Sequence, residues 1–131
     1  MDLHAIIHSL SRLGSFMQQF QFPIKNVENS SLNKLFYLRF EAAISSAKIH
    51  NGWFDEFQVR KSIFALSQWL KLEILTPWTS DCIKPNNPKK IALIMAGNIP
   101  LVGFHDFICS LVSGHSVLVK LSSNGIISSS V

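Results

Sequence analysis

Charge divides this sequence in two. Of its 12 Lys and Arg and 8 Asp and Glu, only Lys120 and Asp106 lie beyond Lys90. A stretch so poor in charge is expected to be covered on most sides. Within it, Ile91-Ala-Leu-Ile-Met95 is an unbroken apolar run behind Lys89-Lys90, which predicts a fully buried strand. Ser116-Val-Leu-Val-Lys-Leu121 predicts a second strand. Between them Phe104, Phe107, Ile108, Leu111 and Val112 recur at helical spacing as far as Gly114, a C-terminal cap. Pro100 suits the first turn of that helix, where a missing N–H costs nothing. Strand, helix and strand make a βαβ unit, expected to pair in parallel with a right-handed crossover. Two parallel strands are marginal alone and want cover on both faces. The expected fold class is therefore α/β. Residues 1–89 form an N-terminal helical region, and residues 90–131 begin a larger α/β domain that is incomplete in this chain.

The charged half reads as helices. Asp2 is placed to cap a first helix whose face is Leu3, Ile6, Ile7, Leu10, Leu13, Met17 and Phe20, ended by Phe22-Pro23. A second starts near Ser31, carries Leu32, Leu35, Phe36, Phe40, Ala43 and Ala47, and stops before Asn51-Gly52. Asp55 is expected to cap a third, with Phe57, Ile63, Phe64, Leu66 and Leu70. Thr76-Pro77-Trp78 and Lys84-Pro-Asn-Asn-Pro88 predict a stiff connection. Trp53, Trp69 and Trp78 read as packing residues in the core and between helices.

Composition narrows the class. With 131 residues and 47% of them hydrophobic, and a mean hydropathy of +0.25, the chain has the means to fold. No apolar run approaches the roughly 18–20 residues of a membrane-spanning helix. The N-terminus carries Asp2 and two histidines where a secretory signal wants basic and then apolar residues. No membrane insertion is expected, and the expected location is cytoplasmic. Cys82 and Cys109 make no Cys-x-x-Cys pair and no disulfide framework. The net charge of +4 is scattered, with only Arg60-Lys61 and Lys89-Lys90 adjacent, so nucleic acid is not an expected partner.

The turn after the first strand, Ala96-Gly97-Asn98-Ile99-Pro100, is the most informative place for chemistry. In open parallel sheets, ligands bind beyond the carboxyl ends of the strands, where helix amino ends point. Gly97 allows close approach to the backbone, and the Asn98 amide is a donor suited to an oxyanion. Asn98 equally fits a plain turn former or helix cap. Lys120 closes the second strand and suits a phosphate or ribose hydroxyl, or is simply a strand-end charge in water. Neither Gly-x-Gly-x-x-Gly nor a Walker loop is present.

Residues 90–107, Lys-Ile-Ala-Leu-Ile-Met-Ala-Gly-Asn-Ile-Pro-Leu-Val-Gly-Phe-His-Asp-Phe, and 113–124, Ser-Gly-His-Ser-Val-Leu-Val-Lys-Leu-Ser-Ser-Asn, together resemble the N-terminal part of bacterial fatty acyl-CoA reductases. These are of the bioluminescence type and belong to the aldehyde dehydrogenase superfamily. His50-Asn-Gly-Trp-Phe54 before a helix is similar too. The resemblance implies that residues 90–131 begin an aldehyde-dehydrogenase-like, Rossmann-type cofactor domain. It implies an oxidoreductase that reduces a fatty acyl-CoA or other acyl thioester to the fatty aldehyde with NADPH, through a cysteine thioacyl intermediate, and that is at least dimeric when full length. Asn98 then matches the oxyanion-hole asparagine, and Lys120 the lysine on the adenosine ribose. Ser122 and Ser123 fall in the adjoining cofactor loop, and Ile99 and Pro100 match the helix-opening pair on the nicotinamide side, next to Gly97. That superfamily does without Gly-x-Gly-x-x-Gly. Its nucleophilic cysteine lies downstream of Val131, and Gly125–Val131 lacks its next helix pattern, so this chain is expected to be inactive alone.

The cysteines present do not replace that nucleophile. Cys109 reads as a small buried hydrophobe in mid-helix, and Cys82 has no His or Lys set to lower its pKa. His105 and Cys109 stand four residues apart beside Asp106, with no further ligand placed for a metal. His105-Asp106 is expected to hold the crossover helix to neighbouring backbone. The alternative to a reductase fragment is a non-catalytic helical interaction module completed by a partner chain.

Overall fold

The computed structural model describes residues 2–22, 30–96, 101–121 and 126–129. Six helices lie in it: α1 (Leu3–Gln18), α2 (Ser31–Ser45), α3 (Ala47–His50), α4 (Glu56–Trp69), α5 (Leu72–Trp78) and α6 (Phe104–Val112). Three strands, β1 (Lys90–Ile94), β2 (Ser116–Lys120) and β3 (Ile126–Ser129), form one sheet in that order. The mixed α/β class and the parallel β1–α6–β2 unit agree with the sequence. The register pairs Ile91 with Val117, Leu93 with Val119 and Ile94 with Lys120.

α1 is the hub, packing on α4, α5 and α6. Asp2 caps it as expected, its carboxylate accepting from the His4 and Ala5 N–H groups. Gly14, an apparent weak point inside a helix, has a steric reason: a Cβ there would stand 2.7 Å from Cβ of Leu70. The glycine lets α1 and α4 approach closely and sink Leu70 completely. Ile6, Leu10, Met17, Ile63, Leu75, Ile108 and Val112 fill the rest of this core.

α2 is rotated from its expected face. Asn33, Tyr37 and Ile44 are buried, while Leu35 and Phe36 are exposed. Two contacts set that rotation. Tyr37 stacks on the fully buried Phe20 with ring centroids 5.0 Å apart. The Asn33 and Gln19 side-chain amides exchange two hydrogen bonds of 2.8 Å, which makes burial of a polar residue tolerable.

Arg60 ties three elements together. Its guanidinium is buried, donates to the Phe20 carbonyl (3.1 Å), and forms a forked pair with Glu41 of α2. It also meets Glu56 one turn back on α4 at 2.8 Å. Hydrogen bonding to Glu41, then Glu56, raises the pKa of Arg60 against the opposing effect of burial. Arg60 is thus a buried tie between helices, which the scatter of basic residues along the chain does not foreshadow.

Further corrections concern ends and edges. Asp55 precedes α4, but its side chain makes no capping bond, and Phe57 is exposed. Thr76-Pro77-Trp78 is the last turn of α5 rather than connection. So near a helix end, proline forfeits little, and the Thr79 N–H and hydroxyl both donate to the Leu75 carbonyl behind it. Residues 84–88 are irregular, as expected. Gly114 ends α6 at φ +77°, the left-handed cap, with Pro85 where its Cβ would be. β1 is not fully buried. Val117 and Val119 are buried with Ile91 and Leu93 beside them, and α6 packs on both strands. The alternate positions face outward, and Ile94 is 82% exposed. The unexpected β3 pairs antiparallel on the far side of β2, matching Val119 with Ile127, which leaves β1 as an edge among the described residues.

Two outcomes follow. Arg60→Ala strands Glu41 and the Phe20 carbonyl and should lower stability in urea by about 2–4 kcal/mol, with Arg60→Lys recovering only part. A change within about 0.5 kcal/mol would mean that the cluster is merely a surface pair. Ile94→Lys should reduce self-association through the β1 edge, read as a fall in sedimentation-average mass.

Candidate functional site

The expected site lies where β1 and β2 end together. Met95 N–H donates to the Lys120 carbonyl at 2.9 Å, extending the parallel ladder to the end of β2. Lys120 stands exposed there, between Ile94 of β1 and Ile126 of β3. One of its three ammonium donors goes to the Leu121 carbonyl at 3.3 Å. Gly97, Asn98, Ile99, Pro100, Ser122 and Ser123 lie outside the described residues.

The amino end of α6 is held against the same place. Gly103 is buried, and a Cβ on it would stand 2.6 Å from Cγ of Met95. α6 itself opens at Phe104, later than the expected start around Pro100. Leu101 is the cause. Its φ of +56° is left-handed, which breaks helical continuation and is strained for a residue with a branched side chain. Leu101 lies on the connection between β1 and α6, and hydrophobic periodicity does not foreshadow its conformation.

A second concavity escaped sequence reading. Trp69, Leu70, Ile74, Leu75, Trp78, His105 and Ile108 line a cavity of about 220 Å³ between α4, α5 and α6. The tryptophans are not core residues: Trp69 is 52% exposed, Trp78 46% and Trp53 84%. The tight turn at Leu70-Lys71 sends α5 off so that Trp69 and Trp78 flank the imidazole of His105, with ring centroids 5.8 and 6.2 Å from it. His105 therefore packs on indoles rather than bonding to neighbouring backbone. Its Nδ1 is 3.9 Å from the exposed Asp106 carboxylate.

Cys109 is half-buried, with Sγ 3.7 Å from the His105 ring nitrogens. Burial raises its pKa most, and the charge of Asp106 and the nearby Cys82 thiol raise it further. The group is a protonated thiol at neutral pH, a poor nucleophile and metal ligand. Cys82 shares a smaller cavity with Lys84, two residues on, and with His115, whose proximity the sequence does not suggest. Among the described residues no three His, Cys, Asp or Glu side chains gather to hold a metal, and no helix is long and apolar enough to cross a membrane.

No protein-family profile, curated protein or solved structure matches this chain.

In a Cys82→Ser background, Cys109 should react with iodoacetamide at pH 7.5 several-fold more slowly than the same thiol in the urea-unfolded chain. Asp106→Asn removes one cause of the raised pKa and should speed the reaction. Labelling of the folded chain as fast as the unfolded one would contradict this account.

Proposed function

We propose that this chain is the N-terminal part of an NADPH-dependent acyl-CoA reductase of the aldehyde dehydrogenase superfamily, acting on a fatty acyl thioester. One observation carries the reading furthest. The parallel pairing of β1 with β2 sets Met95 and Lys120 side by side at the carboxyl ends of adjacent strands. That is where open α/β sheets bind nucleotides. The resemblance of residues 90–107 and 113–124 supports the family, and the outward-facing side of β1 is consistent with a sheet that is covered further. β3 lies outside the resembling segment.

Lys120 fits a nucleotide on its own evidence. It is exposed, and it has donors beyond the one given to Leu121 for a ribose hydroxyl. NADPH supplies hydride when bound. The amide of Asn98 would stabilise the oxygen that gains negative charge when the thioester carbonyl is attacked. Gly97, Ile99 and Pro100 would line the nicotinamide side, and Ser122 and Ser123 the adenosine side.

The second reading, a non-catalytic helical interaction module completed by a partner chain, draws on the exposed Trp69, Trp78 and Trp53. A monomer with a cooperative melt, binding no nucleotide in any longer form, would favour it.

The decisive experiment separates two roles in the full-length reductase. Asn98→Ala removes one oxyanion donor and should lower kcat by about 100- to 1,000-fold with little change in NADPH affinity. Lys120→Ala should raise the NADPH Kd by about 10- to 150-fold, the equivalent of one charge-assisted contact, with turnover at saturation nearly kept. Cofactor titration and single-turnover kinetics read both. The reversed pattern, or no effect of either, overturns the assignment.

A further inference from the structure

His4 and His8 stand outside everything assigned above. They occupy successive turns on the exposed side of α1, with Nε2 atoms 3.2 Å apart and ring planes tilted by 55°. At that separation a neutral pair shares an Nε2–H···Nε2 hydrogen bond, one tautomer donating to the other. A metal ion bound to both rings would take the place of that proton.

We propose that His4 and His8 form a surface site for a divalent transition-metal ion of the zinc class, held through both Nε2 atoms. The bite supports it. Two Zn–N bonds of about 2.0–2.1 Å at a tetrahedral angle put their nitrogens about 3.3–3.4 Å apart, close to the separation the helix already imposes. The ring centroids are 4.3 Å apart, so the rings would swing away from one another about these nitrogens to aim both lone pairs at one ion. The positive end of the helix dipole opposes a cation here, but the Asp2 carboxylate occupies that end, bonded to the His4 N–H, and supplies compensating negative charge. No third protein ligand joins the pair among the described residues, so the ion would complete its coordination with water, one protein ligand fewer than a catalytic zinc site has. His105 with Cys109 has the same spacing but lacks this property, because its thiol is held protonated.

Calorimetric titration of the whole chain with Zn²⁺ at pH 7.5 tests the proposal. One ion per chain is expected. His4→Ala and His8→Ala should each weaken binding by about tenfold or more, since even outer-shell partners of a metal are worth 10- to 100-fold. His105→Ala and His115→Ala should leave it unchanged. Both residues of the pair are exposed, so circular dichroism should match the parent, and His8→Gln provides a second variant of similar helix propensity. No binding at pH 7.5, binding that survives both alanine substitutions, or loss caused instead by Cys109→Ser overturns the proposal.

Discussion

The helical layer turns on one buried guanidinium. Arg60 takes the carbonyl of Phe20 just past the end of α1, the carboxylate of Glu41 on α2 and that of Glu56 on its own helix. A buried charge contributes little net stability, because desolvation offsets much of the attraction. What it contributes here is geometry. The planar fork accepts few arrangements, so the exit of α1, the rotation of α2 and the position of α4 are set relative to one another. The Phe16, Phe20, Tyr37 and Phe40 rings pack edge to face and stacked within that frame.

Much of the architecture was legible from local signals. Asp2 before an amphipathic run, Gly114 after one, and two apolar segments separated by a helix-length interval each report a choice made by nearby backbone. The rotation of α2 was not legible, because Leu35 and Phe36 are as apolar as the residues that are buried. The deciding contacts, Tyr37 on Phe20 and Asn33 with Gln19, are made across helices. The role of Arg60 is hidden for a related reason: Glu41 and the Phe20 carbonyl are far from it in sequence, and the i, i+4 pairing with Glu56 alone looks like a surface pair. Pro77 misled because it is a helix breaker only where a helix must continue past it.

The candidate site divides in the same way. An exposed Lys120 at the end of a parallel strand follows from the apolar runs alone. The strain at Leu101 and the contact of Gly103 with Met95 do not, since both depend on how α6 settles against the end of β1. Trp69 and Trp78 read from sequence as packing residues in the core and between helices, and only the second half holds. The turn between α4 and α5 instead leaves them half in water around His105.

The central place of α1 has a kinetic consequence. This helix is made before its partners α4, α5 and α6, which follow it along the chain. Its apolar face must remain uncovered, or be covered by something else, until α6 is made. Contacts that close such long loops form slowly and tend to complete a fold rather than start it. The neighbouring α4–α5 pair is a more local beginning. Docking of α1 onto it through Gly14 is then the event that makes the helices a platform on which the β1–α6–β2 unit can assemble.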